Sequence, residues 1–136
     1  MKRERYLLDA SALLSILLDE RGGERVDRIL DRSRIHAANL AEVIARLVRA
    51  GMPAETAVAN LRDLDLDVDE VFGAAQAEAC GVLQGTRREL GLSLGDCLCL
   101  TAAAWSGSVA VTADRRWEEL NGTKLGDHAI RVEVIR

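Results

Sequence analysis

A chain of 136 residues, 49% hydrophobic and 29% charged, has the length of one domain and enough apolar residues to bury a core without disulfides or a structural metal. A mean hydropathy of +0.01 excludes an intrinsically disordered chain, and the lack of any run of about 18 apolar residues excludes a membrane-spanning helix. The formal net charge of −4 excludes a basic nucleic-acid coat protein but leaves room for a carboxylate-lined metal site.

The N-terminal stretch MKRERYLLDASALLSILLDE has the basic start and apolar run of a secretory signal. Asp9 interrupts that run, however, and no small-residue cleavage site follows. The stretch is read instead as a buried strand, Tyr6-Leu7-Leu8, followed by a helix over 11–20 that carries Leu13, Leu14, Ile16, Leu17 and Leu18. Gly22-Gly23 breaks the chain. A second helix over 24–32 presents Val26, Ile29 and Leu30, and Ile35-His36-Ala37 is a short strand. Asn39 then opens a helix with Val43, Ile44, Leu47 and Val48 at helical spacing, which Gly51 ends. Pro53 starts the next helix, as proline suits a first turn.

Leu64, Leu66 and Val68 alternate with acids at strand period. An Ala-rich stretch over 70–90 is helical and is capped by Gly91. Asp96 to Trp105 is a further helix, 109–112 a strand, and 130–135 the last strand. Strands alternate with helices along the whole length. The expected architecture is therefore an α/β fold, one domain over 1–136, with a mainly parallel central sheet flanked by helices on both faces.

The three cysteines, Cys80, Cys97 and Cys99, have no zinc spacing and are read as small buried hydrophobes in a reducing cytoplasm. Asp63, Asp65, Asp67 and Asp69 resemble the start of a calcium loop. Val68 stands where such a loop needs Gly and Ala74 where it needs Glu, so they are read as the solvated face of an edge strand. His36 and His128 have no partner motif and are read as structural. Trp117 is read as core.

Four acids stand apart. Asp9 and Asp114 each follow a predicted buried strand, and in parallel α/β sheets ligands bind beyond the carboxyl ends of the strands. Glu42 and Asp96 fall in the first turns of two predicted helices that can start at the same edge. Two carboxylates 4 Å apart repel by about 4 kcal/mol at an effective dielectric of 20. Such a set calls for protons or cations, and an all-oxygen set selects hard cations, Mg²⁺ or Mn²⁺. Each acid also has a plainer explanation. Asp9 and Asp114 could cap the helices that follow them, and Asn39 with Glu42, like Ser93 with Asp96, has the spacing of a capping box. Arg115 and Arg116, directly after Asp114, are candidates for substrate phosphates.

The segments YLLDASALLSILLDE, AANLAEVIARL, LGLSLGDCLCLTAAA and VAVTADRRW resemble the conserved blocks of PIN domains. Their order and separations resemble those of the VapC-like toxins within that family. The resemblance spans nearly the whole chain and implies that Asp9, Glu42, Asp96 and Asp114 hold divalent metal. It implies that the hydroxyls of Ser11 and Thr112 orient a carboxylate. It further implies a cytoplasmic metal-dependent endoribonuclease that activates water for in-line attack on RNA, leaving a 5′-phosphate and a 3′-hydroxyl. In the toxin branch the targets are tRNA or ribosomal RNA, and the outcome is inhibited translation. The partners implied are a small antitoxin protein, operator DNA reached only through that antitoxin, and a second copy of the chain across apolar faces near 13–18 and 43–48. Two alternatives remain at this point: an RNA-maturation nuclease without an antitoxin, and an inactive RNA- or protein-binding module.

Overall fold

In the computed structural model, which describes residues 3–136, the first buried run forms β1 (Tyr6–Leu8). Its side chains alternate between the two faces of a sheet, as strand period requires. Leu7 enters a core that also holds Leu100, Ala110, Trp117 and Leu120, and Tyr6 and Leu8 enter one with Leu13, Ile29, Ile35 and Val43. Helices α1 (Ala10–Leu17), α2 (Gly23–Ile29), α3 (Ala37–Arg49) and α4 (Ala54–Asp63) feed the second core. Helices α5 (Ala74–Thr86) and α6 (Leu94–Ser106) feed the first, so the sheet is covered on both faces.

With β2 (Ser33–His36), β3 (Asp67–Asp69), β4 (Val109–Thr112) and β7 (Val132–Val134), the sheet has the order β3-β2-β1-β4-β7, and all its neighbours are parallel. The chain builds outward from β1 to β2 and β3, then returns to add β4 on the other side of β1. The strand order thus reverses between β1 and β4, and a crevice opens there beyond their carboxyl ends.

Several boundaries differ from the sequence expectation, each for a local reason. Helix α3 starts at Ala37, not Asn39, because the His36 ring supplies the cap: its Nδ1 accepts from the Ala38 N–H at 3.1 Å. The His36 Nε2 then carries the proton and donates to the Val71 carbonyl at 3.0 Å, so this buried histidine is structural. Strand β3 is short because Leu64 still belongs to the end of α4 and Asp65 follows with φ +52°. Asp63 instead ends α4 and Asp65 lies in the turn after it; of the four acids only Asp67 is exposed on β3, and Asp69 is buried, accepting from the Val71 N–H at 2.9 Å and lying 3.8 Å from Arg34. The Ala-rich helix is shorter than 70–90 and gives way to a 3-10 turn over Arg88–Leu90. A small hairpin, β5 (Lys124–Leu125) and β6 (His128–Ala129), escapes the sequence reading although Gly126-Asp127 is a turn signal. The three cysteines are free and buried, and Trp117 is fully buried. No helix among the described residues is long and apolar enough to cross a membrane.

Candidate active site

Strand β1 delivers Asp9 to the crevice. The Asp9 N–H donates to the Val111 carbonyl at 2.8 Å, which fixes the backbone between β1 and β4. Asp9 occupies the N-cap position of α1 yet makes no side-chain capping bond. Its carboxylate turns instead to two hydroxyls. Ser11 Oγ donates to Asp9 Oδ2 at 2.8 Å, and Thr112 Oγ1 donates to the same oxygen at 3.0 Å. Both hydroxyls are held from behind, Ser11 by the Ala113 N–H at 2.9 Å and Thr112 by the Asp114 N–H at 3.1 Å. The ends of β1 and β4 are thereby stitched together around one carboxylate that is 5% exposed.

Asp96 sits in the first turn of α6 and forms a capping box with Ser93. The Asp96 N–H donates to Ser93 Oγ at 3.1 Å, and the Ser93 N–H donates to Asp96 Oδ2 at 2.9 Å. Capping and siting are therefore one arrangement at this position, which leaves Asp96 Oδ1 outside the box. Glu42 is different. With α3 starting at Ala37, it lies in the second turn and caps nothing, so the capping-box spacing from Asn39 is not realised. Its carboxylate leans onto α6 instead, where a Cβ built on Gly95 would overlap Glu42 Oε1. Asn39, fully buried one turn before Glu42, donates from Nδ2 to the Gly95 carbonyl at 3.1 Å. Its Oδ1 has no partner among the described residues.

Asp9, Glu42, Asp96 and Asp114 all line one cleft of about 430 Å³. A larger cleft of about 810 Å³ lies at the opposite edge among Arg3, Glu4, Arg5 and Arg32, without such a set of acids. Burial, and then proximity, shows in proton affinity. Burial pushes Asp9 up to about 6, the charge of Asp96 adds to this, and the Ser11 and Thr112 hydroxyls oppose it. Burial also pushes Glu42 up to about 6, with Asp9 and Asp96 adding their repulsion. Asp96 is raised by burial and by Asp114, against the pull of the Ser93 bonds.

Asp114 behaves oppositely. Its carboxylate accepts from Arg116 Nη2 at 2.6 Å and Nε at 3.0 Å, and the Arg116 hydrogen bonds hold it below the usual carboxylate range. It also caps the 3-10 turn over Arg115–Leu120, accepting from the Arg116 N–H at 3.0 Å. Arg115 Nε donates to the Arg136 carbonyl at 3.1 Å. Both arginines are thus engaged within the chain.

A family model described as the PIN domain matches residues 6–122. The chain belongs to the PIN-domain family. Comparison with curated proteins finds no significant match. Solved structures with the same PIN fold include chains of three toxin–antitoxin assemblies. One is the DNA-bound VapBC of Salmonella typhimurium, with a TM-score of 0.69, 20% identity, 98% of this chain and 100% of that one covered. Another is VapBC2 of Rickettsia felis bound to a promoter DNA fragment, with a TM-score of 0.68, 14% identity and coverages of 96% and 98%. The third is VapBC-5 of Mycobacterium tuberculosis, with a TM-score of 0.64, 22% identity and coverages of 98% and 99%.

The donor set of this PIN domain suits a hard divalent cation. It is all oxygen, burial and neighbouring acids raise the proton affinity of three of its carboxyls, and the buried Asn39 Oδ1, one turn before Glu42 on α3, has no partner among the described residues. Among the described residues, no three potential ligands are close enough to enclose an ion as they stand. Binding at Asp114 would have to compete with Arg116. Sequence reasoning took Asn39 for a helix cap and passed over Gly95. No local signal marks Gly95, because the approach of Glu42 is set by the packing of α3 on α6.

Proposed function

We propose that this chain is a Mg²⁺- or Mn²⁺-dependent endoribonuclease, the toxin of a toxin–antitoxin pair, which inhibits translation by cutting tRNA or ribosomal RNA. The observation that carries the nuclease reading is the convergence of Asp9, Glu42, Asp96 and Asp114 on one cleft at the point where the strand order reverses. An all-oxygen acid cluster in a PIN domain fits a metal centre for phosphodiester hydrolysis. The structural neighbours from VapBC assemblies support an antitoxin partner and operator DNA reached through it. Activity in the cytoplasm as a homodimer accords with the toxin reading.

Asp9, Glu42 and Asp96 would hold the cation, with Asp114 at its margin. The bound cation supplies Lewis-acid polarisation of the phosphodiester and charge for the leaving oxygen. The chain's own residues do the positioning. Ser11 and Thr112 fix one oxygen of Asp9. The Ser93 N–H fixes one oxygen of Asp96 in the same way.

The test is cleavage of purified tRNA and ribosomal RNA, with the new ends mapped. Cleavage in Mn²⁺ that leaves 5′-phosphates, and stops in chelator, is expected. Undiminished cleavage in excess chelator would overturn the metal mechanism. Expression alone should arrest growth, and co-expression of the adjacent small gene should relieve it.

A further inference from the structure

The cleft carries a second kind of charge. Glu42, Arg46 and Arg49 stand at i, i+4 and i+7 on α3 and line the cleft together with the other acids. Arg46 lies about 6 Å and Arg49 about 10 Å beyond Glu42 along the helix axis. Both arginines are exposed.

An exposed helix face ordinarily pairs such residues. Glu four positions before Arg is the favourable orientation for an ion pair. That pair is absent here, because Glu42 leans onto Gly95 and joins the acid cluster. Among the described residues neither Arg46 nor Arg49 makes a salt bridge; Arg28, Arg62 and Arg88 make none either, but only Arg46 and Arg49 of these line the cleft with the acids. Ala45 and Leu14 also line the cleft and add no charge to it.

We propose that Arg46 and Arg49 bind the phosphates of a single RNA strand as it leaves the acid cluster. This rests on the nuclease reading above. A cluster of carboxylates on a chain of net charge −4 repels a polyanion, so cations beside the cut must draw the strand in. A guanidinium meets a phosphate with two parallel hydrogen bonds. One row of two arginines beside one cleft follows one backbone. A duplex reader contacts phosphates across a groove.

The test uses the full chain with Arg46→Ala, Arg49→Ala, the double Ala variant and the double Lys variant. Arg28→Ala, at the opposite edge of the sheet, is the control. Binding of a short fluorescein-labelled single-stranded RNA is followed by anisotropy over a salt series in chelator, and cleavage kinetics are measured in Mn²⁺. Each Ala change should reduce the log–log salt slope by about 0.7, and the pair by about 1.4. KM should rise with kcat unchanged, the signature of lost uniform binding. The double Lys variant should recover most of the binding, Arg28→Ala should be silent, and melting curves should overlay. A double Ala variant with unchanged slope and KM overturns the proposal, while wild-type cleavage in the same assay keeps the nuclease reading intact. Wild-type protein that neither binds nor cuts RNA overturns both. Unchanged RNA affinity with loss of a co-expressed acidic protein partner would make the row a protein contact and refute the RNA assignment.

Discussion

Replacing Asp9 by Asn removes one charge from the cleft and keeps its shape. The amide oxygen can take the place of Oδ2 and accept from Ser11 and Thr112. In the folded chain the Asp9 carboxyl is raised from 3.8 to about 6, first by burial and then by Asp96. That difference corresponds to about 3 kcal/mol of cost for carrying the charge at neutral pH. The folded state holds the Asp9 proton up to about pH 6 and the unfolded state only to about pH 4. Stability tied to that proton is therefore complete below about pH 4 and is lost as pH rises through about 6. Asn has no charge to develop. In chelator, Asp9→Asn should match wild type near pH 4 and exceed it by up to about 3 kcal/mol near pH 8. Urea melts at both values measure this. In Mn²⁺ at about 100 times its dissociation constant, wild type should gain about 2.7 kcal/mol, and the variant much less. A variant that is destabilised equally at both pH values would refute the reasoning, because Asp9 would then be a structural acceptor and not a charge awaiting a cation.

Glu42→Gln should raise stability in chelator above pH 7 by about 1 kcal/mol, allowing for solvent screening, and should abolish cleavage; melts and RNA cleavage check both. Ser93→Ala removes the cap and should cost about 1 kcal/mol in thermal melts, with cleavage retained because the Ser93 backbone N–H still holds Asp96. Gly95→Ala should leave the chain folded, since Ala is the better helix former, but should displace Glu42 and weaken Mn²⁺ binding in calorimetry.

Much of the candidate site was legible in the sequence because its signals are local. Asp9 and Asp114 each end an apolar run, and Ser11 and Thr112 lie two residues from them. Ser93 and Asp96 have the spacing of the capping box that forms. Asn39 and Glu42 have the same spacing but form no such box, because a cap depends on which residue precedes the first helical turn, and the His36 ring took that place.

The sequence by itself determined the alternation of strands and helices, the two-sided burial of β1, and the acids at the ends of β1 and β4. These follow from periodicities of 2 and 3.6, which are properties of neighbouring residues. The tertiary structure decided the sheet order, the contact of Glu42 with Gly95, the grip of Arg116 on Asp114, and the cleft that Arg46 and Arg49 share with the acids. Strand order and helix contacts bring together residues distant along the chain, as Glu42 and Gly95 are, and the charge each group carries depends on those neighbours and its depth from water.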